Sequence, residues 1–548
     1  MSEMFSRHRA LLDDALTALK DRGFWSSFPE VPSGKIYGET ARADGEAAFA
    51  ALQGKPFDLP GHPESARVGT EVSPFGPDLA ITYPAANPAA LTAAAAAAAP
   101  ALAAAGAEAR VGACLEILTR LNKISFLLGY ATQHTTGQAF AMAFQAGGPH
   151  AQDRGLEAVA MAWDEMTRFP TSARWEKPQG KAAPIVLEKH WSLVPAGVAL
   201  TIGCNTFPTW NSYPGLFASL ATGNPVIVKP HPAAVLPLAL TVRVAREVLV
   251  EAGLPADSVL LAVDAPGAEV TKQLATDPAV RLIDYTGSRT FGDWLRDNAR
   301  QAQLFTEETG VNSVVIAATD DFAGMCANLA FSLSLYSGQM CTSPQNIYVP
   351  EGGIDTDQGH KSADDVAQAL AAAVDGLLDD PARAAGICGA IANPATLART
   401  EGAAGFGRVI RASAAAGEGR TASPLIVGLE AGNAAARAEC FGPTAFVIPT
   451  ADADAGIAAA AGLAAEQGAI TAALYDTDEA RIGRAISAFA RAGVNLSINL
   501  TGNIFVNQSA AFSDFHVTGA NPAGNASLTD TAFVASRFRR VMWRRPVA

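Results

Sequence analysis

Apolar residues in this chain first recur at helical spacing and later gather into short runs. From Pro84 to about Arg168 the pattern is helical. Leu115, Leu118, Leu121 and Ile124 fall at i, i+3, i+6 and i+9, one apolar stripe on a helix. The Ala-rich run Ala93–Ala105 contains Pro100 and reads as a helix, because Ala is only weakly apolar. Residues 169–184 are polar and read as an exposed arm or linker. Beyond them runs and helices alternate. Strands are expected at Val194–Ile202, Asn224–Lys229, Ser258–Val263 and Val280–Asp284, with helices at Leu236–Ala252 and Val270–Ala275. Such alternation means βαβ units and a parallel sheet. It resumes from Asn312 to about Ser509, which predicts a second α/β domain. Residues 1–75 carry scattered Pro and Gly and read as an N-terminal extension of helix and loop.

Composition narrows the function. At 548 residues the chain predicts two or three domains. Its net charge of −13 argues against nucleic acid, since a polyanion would be repelled. Six cysteines without close pairs make neither a disulfide framework nor a zinc site. The N-terminus has no apolar core of signal-peptide length. A reduced, cytoplasmic protein with no membrane partner and no metal is expected.

Two residues carry candidate chemistry. Cys341 lies in Ser337-Gly338-Gln339-Met340-Cys341-Thr342, and Glu307 precedes it by 34 residues in Thr306-Glu307-Glu308-Thr309-Gly310. A thiolate can attack an aldehyde carbonyl and, after loss of hydride, be left as a thioester. A carboxylate can then take a proton from the water that hydrolyses it. Each residue alone has a plainer reading, since Cys is commonly buried and loop Glu commonly solvated. Glu308 leaves the choice of carboxylate open. The turn Asp284-Tyr-Thr-Gly287-Ser288 follows an apolar run and precedes a helix, where backbone N–H groups can meet a phosphate. Lys229 ends another run and could bond ribose hydroxyls. The Arg-rich tail (Arg537, Arg539, Arg540, Arg544, Arg545) reads as a solvated or inter-subunit strand.

Taken together, these strings resemble the aldehyde dehydrogenase superfamily over roughly residues 80 to 540. The pieces stand in family order: Pro195-Ala-Gly-Val198, Thr206-Phe-Pro208, Gly223-Asn-Pro-Val-Ile-Val-Lys-Pro230, Tyr285-Thr-Gly-Ser288, Glu307-Glu-Thr-Gly310, Gly338-Gln-Met-Cys341, Glu439-Cys-Phe-Gly-Pro443 and Gly502-Asn-Ile-Phe-Val-Asn507. The resemblance implies an α/β fold with a Rossmann-like cofactor domain, an α/β catalytic domain and a small oligomerisation arm. The implied bounds are 76–168 with 191–306 for the cofactor domain and 307–506 for the catalytic domain. Residues 169–190 with 507–548 would make the arm and tail. Cys341 would be the nucleophile and Glu307 the general base. Lys229, Gly287, Ser288, Glu439 and Phe441 would bind NADP or NAD, and a homodimer or dimer of dimers is the family habit.

Two departures alter these expectations. Where the family has an oxyanion-binding Asn before Phe-Pro, this chain has Thr206, with Asn205 just before it. Either could serve, and loss of such a donor costs about 3 kcal/mol of barrier. Three residues after Lys229, where NAD-preferring members often place Glu, stands Pro232, so NADP is admitted and slightly favoured. More narrowly, the string Asn205–Pro232 resembles PaaN-type proteins of phenylacetate degradation. That implies an acyl-CoA semialdehyde as substrate, oxidised to the free acid, with ring opening left to another protein. The alternatives are a catalytically weak scaffold or binding member of the same fold and a coenzyme A-acylating enzyme.

Overall fold

Short runs rich in Val, Ile and Leu build the first sheet. Val198–Ile202, Val226–Lys229, Val259–Leu261, Val280–Thr286 and Gln303–Glu307 are its five strands in the computed structural model, which describes residues 3–64 and 66–547. All neighbours are parallel, in the spatial order Val259–Leu261, Val226–Lys229, Val198–Ile202, Val280–Thr286, Gln303–Glu307. The strands from Val198, Val226 and Val259 are buried at every position, as a parallel sheet covered on both faces requires. The expected helices are present as Leu236–Glu251 and Val270–Thr276. Strand order reverses at Val198–Ile202, so a crevice opens between the carboxyl ends of that strand and of Val280–Thr286.

The second sheet has seven strands, in the order Arg408–Arg411, Leu425–Gly428, Thr444–Thr450, Asn346–Pro350, Ser313–Ile316, Thr471–Tyr475, Asn495–Ile498. Only the first pair is antiparallel. A third sheet joins Ser172–Gln179, Ala182–Pro195 and Phe538–Pro546, all antiparallel and mostly exposed.

Three expectations differ from what is observed. The strand expected at Val194–Ile202 is two strands, ending at Pro195 and restarting at Val198. Between them Gly197 adopts φ +142°, and a Cβ there would lie 2.4 Å from Arg281 Cγ, so the chain changes sheets at a glycine. The polar residues 169–184 largely form strand. Their polarity reflects a sheet with no core face, not a lack of regular structure. The single stripe expected around Leu118 is too narrow. Helix Gly106–Lys123 is buried continuously from Arg110 to Leu118, because it runs between the N-terminal Glu3–Arg7 helix and the helices Pro149–Thr167 and Pro208–Thr222.

After the second sheet the chain returns to the first: Phe512, Phe533 and Val534 are buried in the core beneath it. This return carries residues 511–535 past the junction of the two large sheets. Among the described residues no single helix is long and apolar enough to cross a membrane.

Candidate active site

The turn before Cys341 is held against its own backbone preference. Tyr336, Ser337 and Gly338 have φ of 51°, 51° and 62° in succession. Left-handed conformations in non-glycine residues cost about 1–3 kcal/mol each and persist only when the surroundings fix them. Here they are fixed. Tyr336 donates its hydroxyl to Thr136 O at 2.6 Å, and Ser337 donates to Ala422 O at 2.6 Å. Gln339 donates to Ala390 O and accepts from Ala392 N. On the far side Asn312 donates to the carbonyls of Cys341 and Ser343 at 2.7 and 2.9 Å. Cys341 itself keeps a partly exposed face.

Glu307 is the last residue of its edge strand and points to Cys341. Asn211, in the first turn of helix Pro208–Thr222, donates to Glu307 Oε2 at 3.0 Å. His516 Nε2 lies 3.3 Å from Glu307 Oε1 and 3.6 Å from Cys341 Sγ. The ligating atoms of Glu307, Cys341 and His516 all fall within 4.8 Å of one another. Burial alone would raise the Glu307 carboxyl. The His516 ring and hydrogen bonds from His516, Cys341 and Asn211 outweigh it and hold the group below the ordinary range. Cys341 moves the other way: burial first, then the Glu307 carboxylate, push its thiol well up.

Glu308 is not an alternative to Glu307. It pairs with Arg296 at 2.5 and 3.0 Å, turned away toward helix Arg289–Asn298. Successive residues at a strand end face opposite ways, so only one of the two carboxylates can reach Cys341.

Thr206 and Asn205 have different surroundings. The Thr206 hydroxyl is hydrogen-bonded to the Cys204 sulfur, and its carbonyl accepts from Gln138. Asn205 Oδ1 is buried with no partner among the described residues.

The remaining expected residues lie around the crevice. Gly287 and Ser288 link the carboxyl end of Val280–Thr286 to the helix Arg289–Asn298, whose N-cap is Ser288. A Cβ at Gly287 would lie 2.4 Å from the Tyr285 hydroxyl oxygen, so a side chain there would have to displace the Tyr285 ring. Lys229 is buried and bound 2.6 Å from Asp264 Oδ1. Glu439 and Phe441 line a cavity of about 330 Å³ with Gly310, Arg289 and Arg399. Burial raises the Glu439 carboxyl to about 7, despite the Gly310 N–H and the two arginines. A switch-point crevice, a helix N-terminus behind glycine, and a carboxyl group in an Arg-lined cavity fit a dinucleotide.

The sequence profile of the aldehyde dehydrogenase family matches residues 63–524, most of the chain. The chain belongs to the aldehyde dehydrogenase family. A crystal structure described as an NAD-dependent aldehyde dehydrogenase from Burkholderia multivorans superposes with a TM-score of 0.98 and 53% identity, over 100% of both chains. A 1-pyrroline-5-carboxylate dehydrogenase of Bacillus subtilis is 30% identical over 155 residues, 27% of this chain and 29% of that protein. The NAD-dependent benzaldehyde dehydrogenase of Pseudomonas putida is 29% identical over 194 residues, 34% of this chain and 38% of that protein. The chain thus spans about a third of the length of these curated relatives.

Within this family member, two site residues had no motif to announce them. His516 is one of eight scattered histidines, and Asn211 lies in a string whose Thr206 drew notice instead. Arg537 also departs from its expected place. It is fully buried, pairs with Asp284 at 2.5 and 2.9 Å, and lies over Phe305 and Phe533, so it belongs to the first core and not to a solvated tail.

Proposed function

We propose that this protein oxidises an aldehyde to a carboxylic acid, with Cys341 as nucleophile and Glu307 as the base for hydrolysis. The observation that carries this reading is Glu307, ionised and turned toward Cys341 while Glu308 is bound to Arg296. The Cys341 thiolate adds to the carbonyl carbon and gives a thiohemiacetal. Bound in the crevice, a nicotinamide supplies the acceptor for the hydride that this adduct releases. A thioester remains on Cys341. Glu307 takes a proton from water, the water oxygen adds to the thioester carbon, and the acid leaves as the Cys341 thiolate returns. A carboxylate next to the thioester favours water over coenzyme A as acceptor.

Four finer assignments belong to the same proposal. Asn205 is favoured over Thr206 as oxyanion donor, because the Thr206 hydroxyl is engaged by Cys204 while an amide side chain offers two N–H donors. The sequence admitted NADP because position 232 is Pro. Asp264 nevertheless places a carboxylate beside Lys229, which supports NAD, and the Burkholderia protein is described as NAD-dependent. For substrate, the PaaN-like string Asn205–Pro232 supports an acyl-CoA semialdehyde of aromatic degradation. Assembly through the arm is supported by Ile185, Val541, Met542 and Trp543, apolar residues exposed on the third sheet.

The test is turnover of CoA-linked and simple aldehydes, each with both nicotinamides, read by near-ultraviolet absorbance of the reduced cofactor. Oxidation of the CoA-linked substrates alone, with NAD, is the expected result. No turnover of any aldehyde, or no loss of turnover in Cys341→Ala, defeats the reading.

A further inference from the structure

His516 is brought to Cys341 from 175 residues away and to Glu307 from 209. The contact is made by one atom. His516 Nε2 faces both Cys341 Sγ at 3.6 Å and Glu307 Oε1 at 3.3 Å, so the proton it holds or lacks is shared between a thiol and a carboxylate. The ring is not free to turn away. It is buried, Trp210 meets it edge-on at 4.7 Å, and its backbone carbonyl accepts from Leu528 N. Val517, next in the chain, packs with Ile470 and Ala523 against Cys341. The groups facing this cluster are Asn211 on Glu307, Cys204 on Asn211, and Arg154 behind Trp210.

Cys341 has a difficulty that the ring resolves. A thiolate 34 residues on in sequence but adjacent in space to an ionised Glu307 is repelled by it, and burial adds to the cost. An imidazolium in contact with both negative groups offsets the repulsion between them.

We infer that His516 is a catalytic residue that takes the Cys341 thiol proton and holds it as imidazolium between thiolate and Glu307. This rests on the proposed role of Cys341. The balance starts from the neutral ring with its proton on Nδ1 and a lone pair on Nε2: the S–H bond breaks, an Nε2–H bond forms, and the new N–H donates to Glu307 Oε1. The thiolate then adds to the carbonyl carbon. When the acid has left and the thiolate returns, the imidazolium can give its proton back. No oxidant enters these proton transfers. The arrangement has the chemistry of a Cys–His pair oriented by a third group, here added to the general base of a dehydrogenase.

The experiment is alkylation of Cys341 in the free protein by iodoacetamide over a pH series, followed by mass of the Cys341 peptide. It uses neither aldehyde nor nicotinamide, so it can fail or succeed independently of the oxidation reaction. In the wild type, alkylation should persist well below the ordinary thiol pKa of about 8.5. In His516→Asn and His516→Gln it should fall at least tenfold at neutral pH and rise steadily with pH. Profiles that coincide between wild type and variants would overturn the assignment. Should neither variant fold, the wild-type profile decides: a single rise centred above the ordinary thiol pKa also overturns it.

Discussion

Gly338 and Gly442 meet so closely that a Cβ on Gly338 would lie 2.4 Å from the Gly442 carbonyl oxygen. The turn that presents Cys341 is therefore seated on the Glu439–Pro443 motif, which also lines the cavity beside Glu439. Gly338 holds φ +62° as well, so an alanine there meets both a backbone atom and an unfavourable conformation. Gly338→Ala should lose about 1–3 kcal/mol from conformation alone, and more where Gly442 must shift. Denaturant midpoints for the two proteins measure this. Equal midpoints would show that the turn relaxes freely.

Glu307 and Glu308 should separate cleanly on mutation. Glu307→Gln keeps the hydrogen bond from Asn211 but cannot take a proton from water. It should give a burst of one reduced nicotinamide per site, followed by a steady rate slowed about 100- to 10,000-fold. Glu308→Gln should turn over within a few-fold of wild type yet be less stable, since Arg296 loses its buried carboxylate partner and keeps only the exposed Asp293. Rapid-mixing kinetics and thermal melting read the two effects. Loss of the burst in Glu307→Gln would move its role from hydrolysis to thiol activation.

The Lys229–Asp264 contact predicts cofactor choice. A buried carboxylate 2.6 Å from Lys229 would accept a 2′-hydroxyl and repel a 2′-phosphate. Asp264→Asn keeps the shape and removes the charge. The ratio of kcat/KM for NADP over that for NAD should rise about tenfold, a difference of about 1.4 kcal/mol. A ratio unchanged within twofold would place discrimination elsewhere.

These contrasts show what the chain's order discloses. Cys341 and Glu307 were legible because each sits in a short contiguous string, and the strands around Val198, Val226 and Val280 because fully buried parallel strands read as unbroken apolar runs. Choosing between Glu307 and Glu308 needed the strand end's orientation, which no local pattern encodes. His516 was illegible for a stronger reason. It reaches the site only because Phe512 and Phe533 return the chain to the first core, and such a long-range closure leaves no periodic trace. Position 232 is a related case: no carboxylate stands there, yet Asp264, on the loop after a neighbouring strand, lies 2.6 Å from Lys229, a contact no local pattern encodes.

Glu439 makes the pH dependence of cofactor binding predictable. Burial raises its carboxyl from the ordinary 4.5 to about 7, so the folded protein binds a proton there that the unfolded chain has released. Between those two values the folded state holds more protons than the unfolded one. The contribution of this group to stability is therefore full below about 4.5 and is lost as pH rises through about 7. Binding should run the opposite way. A neutral carboxyl offers one donor and a weakened acceptor, whereas the carboxylate accepts from two ribose hydroxyls. Dinucleotide affinity should thus increase as pH climbs through about 7 in the wild type and stay level in Glu439→Gln. Titration by quenching of tryptophan fluorescence, with melting curves at each pH, measures both. Parallel binding curves for the two proteins would show that Glu439 does not touch the ribose. A melting temperature of the wild type that rises relative to Glu439→Gln across the same interval would contradict the raised carboxyl itself.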